Sequence, residues 1–136
     1  MNRRVFLTTS AAAALALPAT VHAAVDYTPG LVKAELAAGK TVFLDFAAAW
    51  CTTCAAQERV INALRAENPA YDESISFINI DWDKYRGADI TKELNIPRRS
   101  TLVALRGDAE IGRIIAGTSR RDIQALMDKA LAAATS

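Results

Sequence analysis

The chain has 136 residues, which is enough for one compact domain and too few for two. Its composition of 51% hydrophobic and 23% charged residues is typical of a globular protein and excludes a disordered chain. The formal net charge is +1, and two cysteines are too few for the framework of a small disulfide-rich domain.

The N-terminal segment is predicted to be an export signal and not part of the fold. Arg3 and Arg4 precede an apolar stretch over residues 5–17, Pro18 ends this stretch, and Val21-His22-Ala23 offers small residues for cleavage. The stretch is shorter than the ~20 apolar residues that span a bilayer. The paired arginines favour twin-arginine export over the general secretion route, with an uncleaved membrane anchor as the remaining alternative.

Cleavage after Ala23 divides the chain into a signal peptide, 1–23, and a mature periplasmic domain, 24–136, of 113 residues. Loss of Arg3 and Arg4 reduces the 16 basic residues to 14 against 15 acidic ones, so the net charge becomes about −1. This charge gives no sign of nucleic-acid binding. The single histidine, His22, is also removed, which excludes a Cys-His nucleophile pair and a histidine-ligated metal site in one mature chain.

The first half of the mature domain is predicted to contain two helices around one buried strand. A short helix covers residues 31–38 and stops at Gly39. Residues 41–47 form a nearly continuous apolar run, which is typical of a central strand. Apolar residues at helical spacing then predict a helix over 52–67, with Gln57 off its apolar face.

The second half is predicted to contain two further helices and three strands. In chain order these are a strand at 75–80, a polar loop at 81–87, a helix at 88–94, a hairpin of strands 101–105 and 110–116, and a helix from Ser119 to about residue 133. The predicted fold is therefore α/β, with a central mixed sheet of four to five strands flanked by helices. The sheet is parallel at first and antiparallel at one edge.

Cys51 and Cys54 lie where the central strand passes into the long helix. A helix N-terminus favours an anion, so it lowers the pKa of a thiol there from ~8.5 towards neutrality. Cys54 lies on the same helix face, ~5–6 Å away between side-chain roots, which allows a reversible disulfide. The first cysteine can attack a partner's disulfide and the second can resolve the mixed disulfide.

The same spacing has two other interpretations. Zinc sites use C-x-x-C, although the mature chain offers no second cysteine pair and no histidine to complete one. An inert structural bridge is also possible in an oxidising compartment, although so small a loop removes little chain entropy. A redox-active pair is the interpretation that these considerations favour.

Asp45 is the one charged residue in the predicted central strand. Burial should raise the pKa of its carboxyl, which suits a general acid or base near neutral pH. It could take the proton of Cys54 through water. The alternative is a structural carboxylate that accepts hydrogen bonds from backbone donors.

The segment Asp45-Phe46-Ala47-Ala48-Ala49-Trp50-Cys51-Thr52-Thr53-Cys54 resembles the active-site segment of thioredoxins. The resemblance continues through Asn79-Ile80-Asp81 and Gly117, and it is strongest to exported thioredoxin-like proteins, including the thioredoxin-like domain of periplasmic thiol–disulfide interchange proteins. It implies the thioredoxin fold and protein-disulfide reductase activity. The implied roles are nucleophile for Cys51, resolving thiol for Cys54, proton acceptor for Asp45 and partner-facing platform for Trp50.

The resemblance also implies partners. They are disulfide-bearing or thiol-bearing envelope proteins and a membrane electron donor. The protein itself is expected to be a monomer without a cofactor or a bound metal. The substrate would contact Trp50, Arg99, Ser100 and Thr101. A metal or cluster carrier that uses the two cysteines across a dimer, and a non-catalytic domain with an inert disulfide, are the alternative functions.

The sequence departs from the family at three places. Thr-Thr replaces Gly-Pro between the cysteines, and Phe77 replaces a lysine near Asp45. Ser100 stands where the family has a cis-proline facing the cysteines, so either the bond before Ser100 is cis or the loop is reshaped around Pro97. The Ser100 hydroxyl could bond a cysteine sulfur, and loss of the proline could admit a metal.

Arg99 lies in the same loop and has two interpretations. It is either a solvated surface charge or a cation beside Cys51 that lowers the pKa of the thiol and attracts acidic partners.

Overall fold

The computed structural model describes residues 24–136, and the predicted signal segment, including His22, lies outside the described residues. Eleven elements follow one another within the described range. They are β1 (Val25–Asp26), α1 (Leu31–Ala37), β2 (Thr41–Ala47), α2 (Thr52–Glu67), α3 (Ala70–Ser74), β3 (Ile75–Asp81), α4 (Trp82–Tyr85), α5 (Asp89–Glu93), β4 (Thr101–Arg106), β5 (Ala109–Ile115) and α6 (Arg120–Ala134).

The five strands form one mixed sheet in the order β1-β3-β2-β4-β5. β3 pairs in parallel with both β1 and β2, whereas β4 pairs antiparallel with both β2 and β5. This arrangement confirms the predicted α/β fold, including the parallel first part and the antiparallel edge.

β2 lies at the centre of the sheet and is buried on both faces. Because side chains alternate along a strand, Phe43 packs on one side with α2 and α6, while Leu44 and Phe46 pack on the other with α1 and α5. Asp45 shares the face of Phe43 by the same alternation. The sheet therefore directs the Asp45 carboxyl towards α2.

Local signals determine where the two long helices begin. The Cys51 sulfur accepts a hydrogen bond from the Cys54 backbone N–H at 3.1 Å, which caps α2. The Ser119 hydroxyl accepts from the Asp122 N–H at 3.4 Å and caps α6 in the same way. α2 ends at Glu67, two residues before Pro69, as the sequence predicted.

Three short elements were absent from the prediction. β1 has two residues, and its pairing with β3 defines it more than any pattern of its own. α3 forms directly after Pro69, where the prediction ended the preceding helix. α4 occupies the middle of the predicted polar loop, where the Asp81 side chain accepts from the Asp83 N–H at 3.0 Å and caps one helical turn. None of the helices within residues 24–136 is long and apolar enough to cross a membrane.

The end of α2 is joined to α3 by a buried ion pair. Arg65 Nε lies 2.6 Å from Asp72 Oδ1, with side chains 10% and 7% exposed, and the guanidinium lies over the Phe77 ring. We expect Asp72→Ala to lower the free energy of unfolding by about 3 kcal/mol, because it leaves the buried Arg65 without this carboxylate. Urea unfolding measures the change.

The exposed ion pair between Glu67 and Arg120 provides the matched control. Both side chains are about half exposed, at 58% and 49%, so Glu67→Ala should lower the free energy of unfolding far less than Asp72→Ala does. Equal costs for the two variants would show that the burial of the Arg65 pair does not determine its contribution.

Candidate active site

Cys51 and Cys54 form a disulfide at the N-terminus of α2, and their Cα atoms are 5.2 Å apart. Cys51 is the N-cap residue, and its own N–H bonds the carbonyl of Ala48 at 3.1 Å, so the turn after β2 holds it in place. The Cys54 N–H points at the Cys51 sulfur. After reduction, this N–H and the helix N-terminus both stabilise a Cys51 thiolate.

Ser100 faces both sulfurs from the loop before β4. Its hydroxyl oxygen lies 3.2 Å from Cys51 Sγ and 3.1 Å from Cys54 Sγ, and the residue is fully buried. Residues 24–136 contain no cis peptide bond, so the loop is reshaped and the bond before Ser100 is trans. Ser100 instead has a left-handed backbone with φ of 61°, which non-glycine residues seldom adopt.

Gln57 connects α2 to this loop and to the end of β5. The sequence pattern predicted a position off the apolar face of α2, which was wrong: Gln57 is fully buried. Its Nε2 donates to the carbonyls of Ser100 at 3.0 Å and Gly117 at 2.9 Å. A signal for this position was present in the spacing, since Gln57 follows Cys54 by three residues and so shares its helix face.

Asp45 is buried beside the cysteines, with 7% of its surface exposed. Burial, and after it the negative charge of Glu58, raise the pKa of its carboxyl to about 7. Its Oδ1 atom is buried without a hydrogen-bond partner, so the carboxyl does not have the full set of donors that a structural role requires. Asp45, Glu58 and both cysteines line one open cleft of about 480 Å³.

Trp50 projects from the surface next to Cys51, and two neighbours hold its ring. The indole is 59% exposed, and its Nε1 donates to Asp83 Oδ2 at 2.8 Å. The Arg99 guanidinium carbon lies 4.4 Å from the ring centroid, which is a cation–π distance. Arg99 is therefore neither a freely solvated charge nor a direct contact of the sulfurs: it lies against the residue adjacent to Cys51.

Thr101 is fully buried, and its hydroxyl donates to the carbonyl of Arg98 at 2.7 Å. This bond stabilises the loop from inside. The structure thus brings every predicted site residue to one end of the sheet, at the cysteines or in the loop that faces them. Within the described part of the chain, no three His, Cys, Asp or Glu side chains are grouped to hold a metal ion.

Comparisons with known proteins agree with this geometry. A family model described as Thioredoxin matches residues 24–129. Among solved structures, the chain is similar to Trxlp from Edwardsiella tarda EIB202, with 29% identity over 77% of this chain and 96% of that chain, at a TM-score of 0.64. No curated protein sequence matches the chain.

Two thioredoxins extend the structural comparison. The germline-specific thioredoxin Deadhead from Drosophila melanogaster has 27% identity over 79% of this chain and 98% of its own, at a TM-score of 0.62. Thioredoxin NaTrxh from Nicotiana alata has 24% identity over 78% and 90%, at a TM-score of 0.62, and supports the fold alone.

The raised pKa of Asp45 predicts a pH-dependent effect on stability. In the unfolded chain this carboxyl ionises near its ordinary pKa of 3.8, whereas in the folded protein it holds its proton until about pH 7. Its contribution to stability therefore falls as the pH rises from 4 to 7, by about 4 kcal/mol for a shift of about three units. We expect the free energy of unfolding of the oxidised Asp45→Asn variant to exceed that of the parent by several kcal/mol at pH 8 and to match it near pH 4. Urea unfolding measures both values.

Asp108→Asn is the matched control, because Asp108 is an exposed carboxyl in the hairpin turn. This variant should differ little from the parent at either pH. A stability difference for Asp45→Asn that stays the same from pH 4 to pH 8 would contradict the raised pKa.

Proposed function

The chain belongs to the thioredoxin family, and we propose that it is an exported thiol–disulfide oxidoreductase that reduces disulfides of envelope proteins. The observation that carries this proposal is the disulfide between Cys51, at the N-terminus of α2, and Cys54 in its first turn. The fold and this disulfide support thiol–disulfide oxidoreductase activity. The proposal adds the reducing direction, the compartment and the substrates.

The reaction begins with Cys51. Its thiolate attacks one sulfur of the partner's disulfide, which forms a mixed disulfide and breaks the partner's S–S bond. The released partner thiolate takes a proton from solvent. The Cys54 N–H, 3.1 Å from Cys51 Sγ, stabilises the attacking anion before this step.

The second step requires the proton of Cys54 to leave. Asp45 lines the same cleft and is the proposed acceptor, through water, because a carboxyl with a pKa of about 7 can both take and release a proton at neutral pH. The Cys54 thiolate attacks Cys51 Sγ, the Cys51–Cys54 disulfide forms, and the second partner thiolate leaves. Two electrons have then passed from the dithiol to the partner.

Two features support the compartment and the reducing direction. The predicted leader over residues 1–23 supports export to the periplasm, where disulfides are abundant. Within the described residues, the connection from β3 to β4 holds only the short helices α4 and α5, and so carries no inserted helical domain. We propose that the protein is a monomer and that a membrane electron donor regenerates its dithiol.

We expect the reduced protein to cleave insulin disulfides and Cys54→Ala to accumulate mixed disulfides with envelope proteins. The reason is that Cys51 can still attack, while the resolving thiol is absent. Non-reducing gels of the exporting cell, followed by identification of the captured proteins, measure the second effect. Cys51→Ala/Cys54→Ala is the control and should capture nothing.

Two results would overturn this proposal. Purified reduced protein that carries stoichiometric metal and leaves insulin intact would favour the metal or cluster carrier. A reduction potential below about −300 mV would favour an inert structural disulfide.

The surface formed by Trp50 and Arg99 is the proposed contact for acidic partners. The Asp83 bond and the Arg99 stacking fix the indole from two sides, so this surface is ordered before a partner arrives. We expect Arg99→Ala to slow reduction of a peptide disulfide flanked by aspartates about five-fold, the factor for ~1 kcal/mol of attraction between two charges. A neutral peptide should show little change, and added salt should reduce the difference.

Lys129→Ala removes the same unit of charge from an exposed position near the far end of α6 and is the matched control. Arg99→Lys keeps the charge without the planar stacking group. Equal slowing of both peptides by Arg99→Ala would contradict a role in attracting acidic partners.

A further inference from the structure

The buried hydroxyl of Ser100 contacts both reacting sulfurs. Its Oγ lies 3.2 Å from Cys51 Sγ and 3.1 Å from Cys54 Sγ, and Ser100 has no exposed surface. A buried hydroxyl needs a hydrogen-bond partner, and these sulfurs provide it. Neutral sulfur is a weak acceptor, so this contact gains strength only when one sulfur becomes an anion.

We propose that Ser100 is a further catalytic residue whose hydroxyl donates a hydrogen bond to the Cys51 thiolate of the reduced protein, and that Gln57 is the positioning residue that holds it there. The inference deepens the proposed function and rests on it, since a bond to the Cys51 thiolate has a catalytic role only in a protein that cycles through its dithiol.

In the reduced state the hydroxyl can serve both cysteines at once. It has one proton to donate and two lone pairs to accept with. The Cys51 thiolate accepts a hydrogen bond from the hydroxyl, while the Cys54 thiol donates one to the hydroxyl oxygen. Cys51 Sγ then receives two hydrogen bonds, from Ser100 and from the Cys54 N–H.

The backbone of Ser100 is held firmly enough to aim this hydroxyl. Its N–H donates to the Phe46 carbonyl at 2.7 Å, and its own carbonyl accepts from the Ala116 N–H at 2.8 Å and from Gln57 Nε2 at 3.0 Å. These bonds maintain a left-handed φ of 61° that a serine rarely adopts. This backbone position brings the hydroxyl oxygen within hydrogen-bonding distance of both sulfurs.

Stability alone does not explain why a glutamine occupies position 57. Gln57 is fully buried, and its Oε1 has no hydrogen-bond partner, which lowers stability relative to an apolar side chain of similar size. Both bonds of its Nε2 go to the segments that flank the sulfur site, at Ser100 and Gly117. The side chain thus fixes the distance between α2, which carries the cysteines, and the loop that carries the hydroxyl.

The proposed bond has a defined effect on the redox couple. It stabilises the thiolate more than the disulfide, so it favours the reduced protein and raises the reduction potential. Other charged groups line the cleft beside the sulfurs or lie next to it, and the Ser100 and Gln57 variants leave them unchanged. They are Asp45 on β2, Glu58 on α2, Asp26 on β1, Asp81 on β3, Lys84 on α4, and Arg99 over Trp50.

Removal of the hydroxyl tests the first part of the proposal. Ser100→Gly deletes it and suits the left-handed backbone, while Ser100→Ala deletes it and keeps the Cβ atom. Both variants should raise the pKa of Cys51 by about one to two units, which is a ten- to hundred-fold change in acid dissociation. Absorbance of the thiolate during a pH titration measures it.

The reduction potential provides a second measurement on the same proteins. Equilibration with glutathione above the pKa of Cys51 should show a lower potential in both variants, by about 30 mV for each ten-fold change in the equilibrium constant.

A double-variant cycle tests the role of Gln57. Gln57→Leu should raise the pKa of Cys51 in the parent and have no further effect in Ser100→Gly, because Gln57 acts through the hydroxyl. Gln57→Met is a second replacement if the leucine variant unfolds. Ile61→Val is the control, since Ile61 is buried one turn further along α2, and it should lower stability without moving the pKa.

The outcomes separate this inference from the proposed function. An unchanged Cys51 pKa and potential in both Ser100 variants, with insulin reduction intact in the parent, overturn the inference and leave the function standing. A parent that fails to reduce insulin overturns the proposed function and with it the catalytic role of Ser100, whereas a shifted pKa in its Ser100 variants still supports the hydrogen bond to the thiolate. Additive effects of Gln57→Leu and Ser100→Gly overturn the positioning role of Gln57.

Discussion

The burial of β2 on both faces is the constraint on which the rest of the structure depends. Each of its first six residues, Thr41 to Phe46, is buried, and β3 and β4 bond its two edges. Because both faces and both edges of β2 are occupied, its position in the sheet is fixed. Because Cys51 follows β2 by only four residues, the strand also determines where α2 begins and where the disulfide lies.

The antiparallel direction of β4 assembles the second half of the site. Phe46 near the end of β2 pairs with Thr101 at the start of β4, so the Ser100 loop meets the cysteines although 49 residues separate Ser100 from Cys51. Thr101 also pairs with Ile115, which brings the end of β5 to the same place. One junction of strand ladders therefore gathers three segments that are distant in the chain.

The parts of this arrangement that sequence could predict are those with local causes. β2 and α2 have the predicted bounds because an apolar run, apolar residues at helical spacing and Pro69 are all local signals. The conformation of Ser100 has no such signal, since hydrogen bonds to Phe46, Gln57 and Ala116 impose it from elsewhere. The two-residue β1 likewise exists through its pairing with β3 and has no pattern of its own. The prediction therefore located the site and missed how its facing loop is held.

Features that lower stability are concentrated at the carboxyl end of β2, next to the cysteines. Within residues 24–136, the buried side-chain nitrogen and oxygen atoms without a hydrogen-bond partner are Asp45 Oδ1, Gln57 Oε1 and Arg99 Nε. Ser100 and Ala116, which bond each other, both have left-handed backbones that cost about 1–2 kcal/mol each for non-glycine residues.

The remainder of β2 carries the apolar side chains that stabilise the domain. Strain and unpaired polar atoms persist only where surrounding structure over-determines them, and such places are usually functional. The strand that supplies the core thus supports, at its carboxyl end, a cluster of groups whose arrangement suits sulfur chemistry better than it suits stability.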